Sequence, residues 1–447
     1  MKRNKIRTVI AASILFCFCC SCGTQTALPQ TEDAKEDAVS DKDNETLPDT
    51  TDTASAAEGV QKEQNVPEKD NIENEDETFT ISIEMKTEES SENAEDGTCI
   101  YTLSYGYPII TITGHEDSAA KINADIQEIV SAFLTAADND ELQYAKDDYE
   151  TRSEDPEWDY PFMPYASELH FTATRSDSNV ISFVITNYVY SGGAHGFTST
   201  TGVSYNTQTG EKISFSELAE NADTFHADTL AYNQKLAASV SYQGMLFSDE
   251  SIYNGELESV LYAEDSWYLS TFGLVFLSNP YALGPYAAGT IEFVIPYSDL
   301  DVMGLEEAFT YPGRLTRKLR HEESYAIDVN GDGQEDSIQF STVYTESEDG
   351  GETTVHFIVN DMDFAQNADD ELKERFLEYA WMEDYAIYDL DESDGILDFV
   401  FFTSENENDT YVTYSHFYRY GKDGSLTYVG KTTGNIYDPT EEIVLVR

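Results

Sequence analysis

Cysteine is confined almost entirely to one end of this chain, and that distribution limits how the rest can be held together. Four of the five cysteines lie within the first 22 residues, so the remainder of the chain carries only Cys99. A single cysteine cannot build the disulfide framework that stabilises many small exported domains. Apolar cores must therefore hold the folded part, and 40% apolar residues with abundant Tyr and Phe make such cores feasible. Cys99 is predicted to pack as a small apolar strand residue.

The first 22 residues have the layout of an export signal. Positive charges between residues 2 and 7 precede an apolar stretch over 8–20 that is too short for a stable membrane span. Cys22, with Ser21 and Gly23 beside it, resembles the lipobox of bacterial lipoproteins. Residues 1–22 are therefore predicted to be a lipoprotein signal peptide and lipobox, with Cys22 acylated and the protein anchored to the lipid membrane outside the cytoplasm. An ordinary cleaved signal is the alternative, and Cys19, where a lipobox usually has Leu, leaves the exact site open.

Charge and composition separate the next segment from the rest of the chain. Residues 23–78 are rich in Asp, Glu, Thr and Ala and contain no aromatic residue before Phe79. Such a segment cannot bury enough apolar surface to offset chain entropy, so it is predicted to be a disordered acidic linker. The whole chain has 86 acidic and 25 basic residues, for a net charge of -61. Nucleic acids and anionic membrane surfaces would be repelled, which leaves cationic proteins, calcium ions and neutral glycans as partners.

Residues 79–305 combine many alternating segments with few helical ones, which predicts an α+β domain. A helix is expected around Ile122 to Leu134, where apolar residues recur at helical spacing, and a second over 216–241. The predicted strands are 80–85, 101–112, 170–174, 180–190, 200–205, 267–269, 274–276 and 291–297.

Several ordered sequence blocks in this region point to a known family. They are 192–196, 205–211, 267–276, 279–281, 284–289 and 295–300. In this order they resemble the extracellular domain of RsiV-type anti-sigma factors and PdaC-type peptidoglycan deacetylases, over about 79–303. The resemblance implies an extracellular sensing or binding module, without the sigma-binding segment of the former or the metal-binding deacetylase domain of the latter. Because that domain is a lysozyme receptor in RsiV, the resemblance also implies a lysozyme-like protein as a candidate ligand.

Residues 321–447 are predicted to form a second, β-rich domain with propeller-blade-like hairpins. They contain a near-repeat in which a strand, an acidic loop and a second strand follow one another. In the first loop, oxygen ligands fall on alternate residues, as calcium prefers, and Gly333 permits a sharp turn. The predicted ligands are Asp328, Asn330, Asp332, Gln334 through its backbone carbonyl, and Asp336. The loop resembles the calcium loops of VCBS and FG-GAP repeats, so structural calcium is expected. A solvated turn without an ion is the alternative.

The second loop matches this pattern less well, because it is longer and Ser393 interrupts the spacing. Its candidate calcium ligands are Asp389, Asp391, Asp394 and Asp398. The alternative is a turn whose carboxylates accept backbone amides.

No catalytic centre can be recognised in the sequence. No histidine pair has a zinc-site spacing, His195 in its Gly-rich turn is predicted to be structural, and no carboxylate pair stands out. Tyr281 and Tyr286 are predicted to lie in loops with their rings partly exposed, as candidate ligand-binding residues. The sequence therefore favours a binding or sensing module that is not an enzyme. A peptidoglycan-binding structural lipoprotein and an unrecognised envelope hydrolase are the alternatives.

Overall fold

The computed structural model describes residues 79–154, 160–247, 255–347, 350–367, 370–380, 384–407, 410–439 and 443–446. The predicted signal peptide with Cys22 and the predicted linker 23–78 lie outside the described residues. Within them the chain has mixed α+β structure in which strands dominate, so the predicted fold class is confirmed at that level. None of the helices of this part of the chain is long and apolar enough to cross a membrane.

The secondary-structure elements follow the alternation and periodicity of the sequence closely. The strands are β1 (Ile81–Asn93), β2 (Cys99–Ile112), β3 (Tyr165–Ser176), β4 (Val180–Tyr190), β5 (Phe197–Asn206), β6 (Trp267–Leu269), β7 (Gly273–Ser278), β8 (Ile291–Pro296), β9 (Thr316–Arg320), β10 (Ser324–Ile327), β11 (Asp336–Ser347), β12 (Gly350–Val359), β13 (Met362–Asp363), β14 (Asp384–Tyr388), β15 (Asp398–Glu407), β16 (Thr410–Tyr420) and β17 (Leu426–Thr432). The helices are α1 (Glu116–Ala136), α2 (Leu142–Glu154), α3 (Ala222–Ala237), α4 (Val240–Gln243), α5 (Glu256–Leu261), α6 (Tyr297–Met303), α7 (Phe364–Asn367) and α8 (Asp370–Tyr379).

The first sheet has the order β1-β2-β3-β4-β5, antiparallel except for the parallel pair β2 and β3. A parallel pair needs a long crossover connection, and α1 and α2 supply it. Ile122, Ile126 and Val130 of α1 are buried in the core of this sheet. The Asn123 side chain bonds both the N–H and the carbonyl of Ile110 at 2.8 Å, which ties α1 to β2.

A smaller sheet, β6-β7-β8, forms the core of the next region. Every residue of β7 is buried, because helices cover one face and the first sheet approaches the other. The single helix predicted over 216–241 is wrong in its extent. The helix α3 begins after Asn221, whose side chain accepts the Thr224 N–H and caps the helix, and α4 starts separately after Ser239.

The last part of the chain contains two sheets, β10-β11-β12-β13 and β17-β16-β15-β14-β9. The predicted hairpins are present, but no sheet among the described residues closes into a propeller. The two strand–loop–strand units lie in different sheets that share one aromatic core, with Phe340 and Phe357 from one sheet and Phe399 and Phe401 from the other. Burying both sheets against each other satisfies their apolar faces without a ring of blades.

A half-buried charge cluster joins this last part to the β6-β7-β8 sheet. The Lys318 amino group lies 2.8 Å from a Glu292 carboxylate oxygen and 2.9 Å from one of Asp384. The Arg320 guanidinium lies over the Tyr242 ring at 4.3 Å and donates to the Glu292 carbonyl. These contacts fix how β9 and β14 meet β8.

Candidate functional site

Two loops bring three exposed or half-exposed rings together, and we call this group the aromatic ledge: His195, Tyr281 and Tyr286. The first loop is the Gly-rich turn between β4 and β5, and the second connects β7 to β8. The rings of His195 and Tyr286 stack with centroids 3.9 Å apart at an interplanar angle of 23°. The Tyr281 ring lies 5.7 Å from that of Tyr286. The ledge therefore presents a row of adjacent rings.

Hydrogen bonds hold the two loops against each other. The Tyr286 hydroxyl donates to the Gly196 carbonyl at 2.9 Å, and His195 Nδ1 lies at the same distance from that oxygen. Because a carbonyl only accepts, His195 must carry its proton on Nδ1 when it makes this bond. The Asn279 amide binds both backbone groups of Thr200, at 2.6 Å and 2.9 Å. The position of the rings is thus set by the backbone of β5.

The backbone of Tyr281 is strained. Its φ is +68°, in the left-handed region, while its side chain is 55% exposed. This conformation costs a non-glycine residue about 1–2 kcal/mol. Strained residues that persist at the surface are concentrated at binding and catalytic sites, because the surrounding structure must hold them there for a purpose other than stability. Tyr281 is therefore the residue of the ledge that most clearly indicates a function.

The sequence placed Tyr281 and Tyr286 in loops with partly exposed rings, and in the structure Tyr281 is exposed and Tyr286 half-exposed. From the sequence alone, His195 was predicted to be structural and was not linked to these two tyrosines. Glycine is required at position 196, because a side chain there would collide with the Tyr188 ring. One acidic residue borders the turn, since Glu141 accepts a hydrogen bond from Ser191 at 2.5 Å.

The first acidic loop is a tight turn built around the carboxylate of Asp328. Asp328 accepts the N–H groups of Gly331, Asp332 and Gly333 at 2.7–3.2 Å. Asp336 is only 4% exposed and accepts hydrogen bonds from neutral donors: the Val329 N–H and the side-chain amides of Asn330 and Asn360. Gln334 donates its N–H to Asp332 and has an exposed side chain.

A positive charge reaches the backbone of this loop, since the Lys422 amino group donates to the Gly331 carbonyl at 2.7 Å. In the described part of the chain, Asp328, Asp332 and Asp336 form no ion pair with Lys, Arg or His. Nor do any three Asp, Glu, His or Cys side chains among the described residues stand close enough to form a metal-binding group. Calcium binding at this loop stays a prediction.

The second acidic loop is arranged differently. Arg419 bonds both carboxylate oxygens of Asp398, at 2.7 Å and 2.8 Å, and one oxygen of Asp394 at 2.8 Å. These bonds raise the pKa of Arg419, while burial raises the pKa of Asp398. Asp391 accepts from the backbone and hydroxyl of Ser393. Burial is also the largest cause that raises the pKa of Asp389. Two of the four candidate ligands are thus bound to a guanidinium.

Two segments of the chain match known protein families, and each contributes to the aromatic ledge. Residues 94–198 match the family described as "Deacetylase PdaC", and residues 230–298 match "Protein of unknown function (DUF3298)". His195 belongs to the first matched segment and Tyr281 and Tyr286 to the second. No curated protein matches the chain.

Solved structures of two DUF3298 proteins are similar to part of the chain. One from Bacteroides fragilis is 18% identical and covers 52% of this chain and 95% of its own, with a TM-score of 0.35. One from Pseudomonas aeruginosa is 12% identical and covers 53% and 98%, with a TM-score of 0.33.

Proposed function

We propose that this chain is a cell-envelope lipoprotein whose extracellular module binds a cationic, lysozyme-like protein at the aromatic ledge. The observation that carries the proposal is the ledge itself, in which rings from two matched segments meet beside a strained, exposed tyrosine. Strained surface residues cluster at ligand sites, which supports a ligand shared by these rings.

Chemistry and charge favour a basic protein as that ligand. Tyrosine is enriched among the residues that dominate protein–protein binding energy, because it buries a large rigid ring and keeps a polar hydroxyl. The net charge of -61 attracts a cationic partner and speeds its encounter. The resemblance to RsiV-type domains, one of which is a lysozyme receptor, names the candidate.

Calorimetry of the full-length protein with hen lysozyme tests this proposal. Tyr281→Ala should weaken binding at least tenfold, as loss of a central aromatic contact usually does. Tyr344→Ala is the matched control, because Tyr344 is 63% exposed but lies on β11, far from the ledge in sequence. Unchanged affinity in Tyr281→Ala, or binding that disappears at physiological salt, would mark the attraction as charge pairing alone.

Two alternatives can be separated from this proposal in the same preparation. A peptidoglycan-binding structural lipoprotein would co-sediment with purified peptidoglycan and leave lysozyme unbound. The word deacetylase in the family description favours testing for an enzyme, so acetate release from acetylated peptidoglycan should be measured. We propose that this chain binds its ligand without catalysis. Acetate release by the wild-type protein that disappears in a variant of this chain would overturn the proposal that it is not an enzyme.

Membrane anchoring through Cys22 belongs to the same proposal. Cys22→Ser should move the protein from the membrane to the soluble fraction, because a stable anchor needs the attached acyl chains. Acylated protein that remains in the membrane after this change would show that another cysteine carries the lipid.

The first acidic loop is proposed to bind structural calcium through Asp328, Asn330, Asp332, Gln334 and Asp336. The alternate spacing of its oxygen-bearing residues supports this, since calcium prefers several hard oxygen ligands from one tight loop.

A further inference from the structure

The two acidic loops occupy matched places in the fold. Asp336 is the first residue of β11 and Asp398 the first residue of β15, and each follows a strand and an acidic turn. Both side chains are almost fully buried, at 4% and 0% exposure. The loops also touch, because the Leu397 N–H donates to the Val329 carbonyl at 2.8 Å. The near-repeat of the sequence is therefore also a structural pair.

What differs is the residue that faces each buried carboxylate. Arg419 lies directly opposite Asp398 on β16 and meets it with two parallel N–H···O bonds. A third bond from the same guanidinium reaches Asp394. In the first loop the corresponding role falls to Asn360, whose neutral amide donates to Asp336 at 2.9 Å.

A buried carboxylate is costly unless a positive charge and hydrogen bonds accompany it, and a two-bond arginine contact provides both. We propose that Arg419 is the built-in cation of the second loop and takes the place that a metal ion would have there. The second loop is thus closed by the chain itself, and Asp389, Asp391, Asp394 and Asp398 bind no calcium. Of the two acidic loops, only the first then remains as a candidate calcium site.

The decisive experiment uses the full-length Asp328→Ala/Asp332→Ala protein, in which the first loop has been removed as a calcium site. Its melting temperature should be the same in excess calcium and in chelator. A rise with calcium that disappears when Asp398→Asn is added would show that the second loop binds metal beside Arg419, and would overturn the proposal. This result does not depend on whether the first loop binds calcium.

A second measurement tests the role of the guanidinium. Arg419→Met should lower the melting temperature by about 5 °C with or without calcium, because it leaves a buried carboxylate without its cation. Arg419→Lys keeps the charge but loses the two-bond geometry, so its melting temperature should lie between those of the wild type and Arg419→Met. The control is Lys121→Met, which removes an exposed pair between α1 and Glu211. A loss in Arg419→Met no larger than in this control would overturn the proposal.

Discussion

The first half of the described chain, 79–311, and the second, 316–439, are held together in different ways. In the first half, single polar side chains join distant segments. The fully buried Arg175 on β3 pairs with Asp177 at 2.6 Å and donates to the Tyr297 hydroxyl and to the carbonyls of Phe309 and Thr310. Rings cluster in the first half as well, where Phe215 lies within 6.0 Å of five others. In the second half, rings from both sheets form one continuous core, in which Phe357 lies within 6.3 Å of Phe340, Phe364, Phe376, Phe399 and Phe401.

This difference shows how the two halves divide their roles. Directional hydrogen bonds can hold a loop in one strained geometry, which the ledge requires. A continuous aromatic core is stable without such directional bonds and can carry charged loops at its edge. Binding by the first half should therefore depend on few residues, and stability of the second half on many.

The largest expected effect comes from breaking the polar joint of the first half. Arg175→Met should reduce the free energy of unfolding by about 3–5 kcal/mol, because Asp177 and three oxygen acceptors lose a buried cationic donor. Urea denaturation measures the loss. Lys121→Met should cost less than about 1 kcal/mol, since its ion pair with Glu211 is exposed to solvent. Similar losses for both variants would contradict the role given to Arg175.

The next-largest effect is stabilisation by calcium at the first acidic loop of the second half. Calcium at a hundredfold excess over its dissociation constant should stabilise the wild-type protein by about 2.7 kcal/mol. Asp328→Ala with Asp332→Ala should abolish this gain. Glu335→Ala, in the same loop but outside the predicted ligand set, should keep it. A wild-type protein that does not respond to calcium in thermal unfolding would rule out the site.

A somewhat smaller effect depends on pH and on His416, which is buried in the second half and bonds Thr403 at 2.8 Å. Burial lowers the pKa of His416 to about 4, from an ordinary value of 6.5. Between these values the unfolded chain binds a proton that the folded chain does not, so stability falls as the pH falls. From pH 8 to pH 5 this group should remove about 2 kcal/mol.

The variant His416→Gln isolates that contribution, because it keeps a hydrogen-bonding side chain but cannot titrate. Its stability should fall less than that of the wild type between pH 8 and pH 5, by about the same 2 kcal/mol. Identical pH profiles for the two proteins in urea denaturation would exclude His416 as the cause.

The smallest effect on stability should accompany a large loss of binding. Tyr281→Gly removes the left-handed strain but also the ring contact with Tyr286, so the free energy of unfolding should rise by no more than about 1 kcal/mol. Affinity for lysozyme should nevertheless fall at least as far as in Tyr281→Ala. A clear loss of stability would instead make Tyr281 a structural residue.

Local patterns in the sequence were sufficient for much of the fold. Strands such as β2 and β3 alternate between buried and more exposed residues, α1 follows its apolar spacing, and the strand–loop–strand near-repeat is present as expected. These features depend on neighbours within a few residues, where the pleat of a strand or the turn of a helix decides which side chains are buried. The exposed rings of Tyr281 and Tyr286 were predicted for the same reason, because prolines and glycines around them mark loops.

Contacts between distant residues could be decided only by the tertiary structure. The stacking of His195 on Tyr286, the burial of Arg175 and the pairing of Arg419 with Asp398 all join separate elements. The separation of the near-repeat into two packed sheets is of the same kind. A sequence states which charges and rings exist, but which of them meet depends on how sheets pack. Packing is selected by the free energy of the whole fold, since each buried charge must find its partner in the same arrangement that buries the apolar core.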